Sequence, residues 1–322
     1  MTSTARALRR IVQARRRSQC LRRRLIGPGL LCAALLLAAP SVEASENGSG
    51  NFAVGAQTVI AAYFPPPNLT EFYGYLLYYH AGSFRDDHGH SAIPDFEANI
   101  LAQAYRVAHT WGYSAGGFSF SSSAIAETVY AKVHAGGETD DTFGIDLLEL
   151  DPLHVNFDWG HLHLQTGPFF YLPVGPYDPT SLANSTTHYA TFAHELAATW
   201  MPTPKWDVSL DSNVSFNLRN KATGYRSGDL FAVTYGVNYR PFDSNQKWQF
   251  GINGFYEQQF SDDHSFGQPV PTGARLRKFA VGPQAVYWVS PAVAVVVKWQ
   301  HEMAVRNAPR GDLMWLECAF PL

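Results

Sequence analysis

The stretch Lys205-Trp206-Asp207-Val208-Ser209-Leu210-Asp211-Ser212-Asn213-Val214-Ser215-Phe216-Asn217 decides the fold class. Its even positions carry Trp206, Val208, Leu210, Val214 and Phe216. Its odd positions are all polar or charged. A period of two is the signature of a strand with one apolar and one polar face. The same pattern returns in Phe231–Tyr239, in Lys247–Gln259 and in Val293–Gln300. Several of these runs reach about 12 residues, whereas strands of soluble domains centre on roughly 5–6. Tilted strands of about 9–11 residues are what a bilayer crossing requires.

Working outward, the chain divides into about twelve such segments, near 70–81, 95–111, 116–133, 145–158, 161–173, 187–200, 205–217, 227–240, 246–260, 275–288, 292–302 and 312–321. The expected connections alternate in length. Long ones fall at 82–94, 134–144, 174–186, 218–226, 261–274 and 303–311. Short ones fall at 112–115, 159–160, 201–204, 241–245 and 289–291. The pattern predicts an all-β, antiparallel transmembrane β-barrel of about 12 strands, with both termini on the short-turn side. Its outer face would meet outer-membrane lipid, and its closure implies help from the barrel-assembly machinery. Trp111, Trp159, Trp200, Trp206, Trp248 and Trp288 lie beside the expected short turns, as an interfacial aromatic girdle would.

Composition narrows the function. Of 322 residues, 14 % are aromatic and 16 % charged, and the charged share lies well below the roughly 25 % of soluble domains. Residues 1–44 hold nine arginines and one acid. Of the chain's 24 bases and 27 acids, the remainder therefore keeps 15 and 26, a net of −11. An acidic body argues against nucleic acid as a partner. The arginines precede an apolar run, Leu30–Ala39, and then Val42-Glu43-Ala44. Basic region, short apolar core and small-residue site in that order predict a cleaved export signal over 1–44. The run is about half the ~20 residues of a membrane helix. Residues 45–68 are expected as an N-terminal periplasmic segment and 69–322 as the barrel. Cys20 and Cys32 would leave with the signal, so Cys318 would have no disulfide partner.

The polar faces supply the candidate site. Lys205, Asp207, Asp211, Asn213, Arg240, Lys247, Gln249, Asn253, Glu257, Lys298, Gln300, Glu302 and Glu317 would line the lumen, interrupted by Tyr171, Phe255 and Trp315. Burying such charges in a dry core costs several kcal/mol each, whereas a polar pore accepts them. Aromatic rings among hydrogen-bonding groups suit a small, partly apolar solute. No cofactor is implied. His194-Glu195 resembles the start of a zinc-protease helix motif, but Ala198 replaces the second histidine. His161 and His163 share a strand face without the further ligands a structural zinc needs. His80, His88 and His90 with Asp86 and Asp87, and Asp262, Asp263 and His264, read as solvated loop groups. Ser119, Ser121, Ser122 and Ser123 lack a nucleophile-elbow motif. A lipid hydrolase and a barrel with a plugged lumen are the alternatives to transport.

Five short motifs add a family resemblance. They are Tyr63-Phe64-Pro65-Pro66-Pro67, Leu172-Pro173-Val174-Gly175-Pro176-Tyr177, Tyr225-Arg226-Ser227-Gly228, Gly282-Pro283-Gln284, and Asn307-Ala308-Pro309-Arg310-Gly311-Asp312 with Trp315. In this order they resemble the outer-membrane proteins named for the meta-pathway of phenol degradation, often labelled transporters. Val174 stands where that family usually carries Thr, and the chain ends Phe320-Pro321-Leu322 in place of a terminal aromatic. The resemblance implies a barrel and uptake of hydrophobic or aromatic compounds. It carries no catalytic residue across.

Overall fold

The computed structural model describes Gly48 and residues 50–242, 246–270 and 275–322. The export signal expected over 1–44 lies outside the described residues. In chain order the strands are β1 (Thr70–Arg85), β2 (Glu97–Ala115), β3 (Phe118–Ala135), β4 (Glu138–Asp158), β5 (Leu162–Pro173), β6 (Thr191–Trp200), β7 (Trp206–Asn217), β8 (Tyr225–Arg226), β9 (Leu230–Tyr239), β10 (Trp248–Gln259), β11 (His264–Ser265), β12 (Gln268–Pro269), β13 (Arg277–Ser290), β14 (Val293–Glu302) and β15 (Ala308–Pro321).

Twelve of them close a barrel in the order β1-β15-β14-β13-β10-β9-β7-β6-β5-β4-β3-β2. Every neighbouring pair is antiparallel, and β1 meets β15 in register from Glu71 opposite Pro321 to Arg85 opposite Ala308. Closure follows from the solvent: a lipid-facing sheet edge would leave its N–H and C=O groups unpaired. The short strands β8, β11 and β12 form a separate three-stranded sheet in the loops.

Side chains sort as the alternation demands. In β7, Asp207, Ser209 and Asp211 are fully buried inside, while Leu210 on the outer face is 47 % exposed. Leu101, Leu196, Phe250, Ile252, Val297, Met314 and Leu316 are exposed in the same outward way. In water such a surface would be a large apolar patch; against hydrocarbon it is matched.

The connections differ from the reading in three places, one being the expected long connection 303–311, which shrinks to 303–307 because β15 begins at Ala308. The segments 86–96, 174–190, 218–229 and 260–276 are long and lie at one end, and the opposite end carries short turns. Residues 134–144, expected as a long loop, instead turn at Gly136-Gly137, so that Ala135 pairs with Glu138. Both glycines have positive φ, 61° and 86°, the requirement of a two-residue hairpin turn that follows strand twist. The β2–β3 turn is built alike at Gly116-Gly117, after the expected 112–115.

Candidate functional site: a lumen divided by an N-terminal strap

Residues 50–64 run through the lumen, whereas a periplasmic segment was expected over 45–68. Asn51, at the long-loop end, donates to Thr191 Oγ1 at 2.9 Å. Further along, Gly55 N donates to Thr234 Oγ1 (2.9 Å) and Thr58 Oγ1 to Gln284 Oε1 (2.6 Å). Ile60 N then meets Asp207 Oδ2 (3.2 Å), Ala61 N meets Ser209 Oγ (3.3 Å) and Ala62 N meets Thr199 Oγ1 (3.0 Å). Near the short-turn end the Tyr63 ring packs edge-on against His163, 5.1 Å between centroids. An irregular segment has no ladder for its backbone groups, so buried N–H and C=O must find side chains. The polar inner faces of β6, β7, β9, β13 and β14 supply them. Lys298 Nζ and Gln300 Nε2 complete the seat by donating to the carbonyls of Ala56 and Gly55. Gly236 lets the strap approach: a Cβ there would lie 1.9 Å from Thr58 O. Polarity that suggested a water-filled pore is largely a seat for the chain's own N-terminal segment.

The opposite side of the lumen has different chemistry. Inward positions there are Tyr75, Leu77 and Tyr79 on β1, Ala98, Ile100, Ala102 and Ala104 on β2, and Val129, Ala131 and Val133 on β3. Together with Phe255, Leu313 and Trp315 they border a cavity of about 800 Å³. Runs of alanine leave the room. Charge is confined to Arg106, Glu127, Asp146, Glu149, Lys278 and Glu302.

The expected site residues separate into three groups. Asp207, Asp211, Asn213, Gln249, Asn253, Glu257, Lys298, Gln300, Glu317 and Tyr171 do point inward and are buried, but they border the strap or one another, not the cavity. Lys298 Nζ is 2.6 Å from Glu317, and Gln300 Nε2 donates to Asn253 Oδ1 at 2.6 Å. Phe255, Glu302 and Trp315 border the cavity itself. Glu302 is held by Tyr79 Oη (2.8 Å) and Gly311 N (2.6 Å), and Trp315 Nε1 donates to Gln300 Oε1 at 3.1 Å. Lys205, Arg240 and Lys247 are corrections. They lie just beyond the ends of β7, β9 and β10, at the short-turn rim, where alternation alone cannot show that the strand has stopped. Arg240 donates there to Pro204 O (2.9 Å) and lies over the Trp288 ring (5.3 Å).

Of the aromatic girdle, Trp111, Trp159, Trp200, Trp206 and Trp248 are exposed on the outer face. Trp288 is turned inward and donates to Gln249 Oε1 at 3.0 Å. The histidine pair also separates: His161 sits in the turn and faces Met201 O (2.8 Å), while His163 is buried inside the barrel. His194 lies outward beside Thr166 Oγ1 (3.0 Å). Asp86, Asp87 and His88 come together in an open loop.

Sequence reasoning missed the cavity wall because β1, β2 and β3 are apolar on both faces. Alternation between Leu76 and Leu77, or Leu101 and Ala102, says nothing about which side faces in. At the mouth, Asp263 anchors the small sheet by accepting from Tyr225 Oη (2.6 Å), Gly228 N (2.6 Å) and Gln259 Nε2 (2.7 Å). Burial pushes its carboxyl up despite these bonds. Neighbouring Asp262 is held below the usual carboxylate range by the hydrogen bond and charge of Arg275, 2.8 Å away.

A family model described as "Putative MetA-pathway of phenol degradation" matches residues 81–318. The chain belongs to this family. No curated protein matches it. Among solved structures it is similar to an outer membrane channel from Pseudomonas putida F1, at 14 % identity over 81 % of this chain and 98 % of that one, with a TM-score of 0.71. It is also similar to the β domain of the Bordetella autotransporter BrkA, at 10 % identity over 79 % of this chain and 100 % of that one, with a TM-score of 0.52. At such identities the likeness is one of fold. This member of the phenol-degradation family therefore has the barrel of outer-membrane channels, with a strap filling one side of its lumen and an apolar cavity on the other.

Proposed function

We propose that the protein is an outer-membrane channel that admits small hydrophobic or aromatic molecules, and that it performs no reaction on them. The one-sided apolar cavity carries this reading. A site that binds such solutes is concave, mostly apolar and of a few hundred to about 1,000 Å³. The family's name, tied to phenol degradation, points the same way. In this reading the long loops face the cell exterior. Exposed Phe266 and the Tyr177–His188 stack (4.8 Å between centroids) stand at the cavity mouth as first contacts. Export by the 1–44 signal, lipid around the outer face and insertion by the barrel-assembly machinery complete it.

The test uses N-phenyl-1-naphthylamine, an apolar probe that fluoresces on entering cells and that intact outer membranes exclude. Cells expressing the protein should take it up faster than cells with empty vector. Ala102→Trp, which fills the cavity from β2, should return uptake to the vector level while the barrel keeps its heat-sensitive gel mobility. Uptake unchanged by either the protein or the substitution would refute the reading.

A further inference from the structure

The charges bordering the cavity are unequal: four carboxylates, Glu127, Asp146, Glu149 and Glu302, against two cations, Arg106 and Lys278. Both cations are already engaged. Arg106 Nη2 lies 3.5 Å from Asp151 while its Nε donates to Ser123 Oγ at 3.0 Å. Lys278 Nζ lies 3.5 Å from Glu302 and over the Tyr79 ring. Among the described residues no lysine or arginine stands at ion-pair distance from Glu127 or Asp146. The Asp146 carboxyl has one neutral partner, the Thr186 hydroxyl, and its Oδ1 is buried with no hydrogen-bond partner.

The backbone places these two acids together by a specific device. Pairing between β3 and β4 runs Ala126 to Leu148 and then jumps to Thr128 opposite Ile145. Two residues, Asp146 and Leu147, therefore oppose the single Glu127. A β-bulge of this kind re-aims a side chain. Regular pleating would send one member of the Asp146–Leu147 pair out toward lipid; here both line the inside. Along β3, Glu127 lies nearer the short-turn end than Val129, Ala131 and Val133. On the β1–β3 wall the cavity is thus apolar above Glu127, while Lys278 and Glu302 stand near the long-loop end of the facing wall and Arg106 lies below Glu127.

Two carboxylates without counter-charge in a low-dielectric space repel each other, and ionisable groups inside a membrane protein are costly to keep. A bound cation removes that cost. We infer that the cavity takes amphiphiles bearing a positive charge, namely apolar or aromatic amines, with the ammonium group seated between Glu127 and Asp146. The hydrocarbon part would lie along Ala102, Val129 and Ala131. This inference rests on the uptake reading above and narrows it to a substrate class. An anionic counterpart of the same shape would meet the acids directly and be rejected, which gives specificity by repulsion as well as attraction.

The test compares three ligands of one shape, phenethylamine, 2-phenylethanol and phenylacetate. Binding to the purified protein in lipid nanodiscs is measured by calorimetry at pH 7. The amine should bind about tenfold more tightly than the alcohol, a difference of about 1.4 kcal/mol, and phenylacetate more weakly than either. In the E127Q/D146N variant the amine should fall to the affinity of the alcohol, with the alcohol unchanged. Amine and alcohol binding alike to the unaltered protein, or phenylacetate binding best, would overturn the inference while leaving apolar uptake standing. Should none of the three bind, both readings fall. The ranking on the unaltered protein decides the matter even if the variant does not assemble.

Discussion

Leu210 and Asp211 are adjacent in sequence and opposite in surroundings: one is 47 % exposed on the outer wall, the other fully buried inside. The consequence is measurable. Leu210→Arg should destabilise the folded barrel by about 2–4 kcal/mol, as cations do near the bilayer midplane. Asp211→Asn, which keeps the shape, should cost less than about 1 kcal/mol. Urea-dependent folding into vesicles reads both, and equal costs would count against the assignment of faces. A second residue-scale prediction concerns Gly236, where any Cβ meets the carbonyl of Thr58. Gly236→Val should push the strap from its seat and raise single-channel conductance in planar bilayers without loss of the barrel. These residues also mark what the sequence could convey. The inward direction of Asp207, Asp211, Asn253 and Lys298 was legible because their strands are polar on one face only. The engagement of Asp207 and Lys298 with the strap was not, since residues 50–64 have no periodicity of their own.

At the scale of elements, each of the twelve expected segments coincides with a barrel strand to within a few residues at most ends, because long apolar–polar alternation leaves few other structures. The failures have identifiable causes. The hairpin at Gly136-Gly137 was masked by the polar run Glu138–Asp141, which reads as loop yet belongs to a strand. The cavity wall of β1–β3 was masked by apolar residues on both faces. The small sheet of β8, β11 and β12 rests on two-residue strands too short to show any pattern. Its integrity depends on Asp263, which ties β10, β11 and the segment at Gly228. Asp263→Ala leaves three donors without an acceptor in a buried position, each costing about 1–3 kcal/mol. The expected outcome is faster proteolytic nicking within 260–276, with the twelve-strand wall still resistant. An unchanged digestion pattern would show that the sheet is held by other means.

For the whole molecule, the division of the lumen is the organising fact. Strands β6, β7, β9, β13 and β14 spend polar inner-face groups on holding the strap. Strands β1–β4 contribute an apolar wall that the strap leaves uncovered, with Glu127 and Asp146 beneath it. Twelve strands give a bore between the side-chain-filled barrels of eight strands and the open porins of 16–18, and the strap decides which part of that bore is available. The proposed function accordingly depends on the side of the barrel where the sequence pattern is weakest. Alternation reports a contrast between two faces, and an apolar cavity wall behind an apolar exterior offers none.

The most direct check is chemical protection at the cavity wall. Ala131 is placed on its apolar stripe, and in protein produced from residue 45 onward, which omits Cys20 and Cys32, Cys318, on the opposite side of the β1–β15 seam, is replaced by serine so that one thiol reports. In the A131C/C318S protein, alkylation by a small uncharged maleimide should be slowed severalfold by saturating 2-phenylethanol, while a thiol introduced at Ser209, under the strap, should gain no such protection. Alkylation at position 131 that proceeds at the same rate with and without the solute would contradict the account.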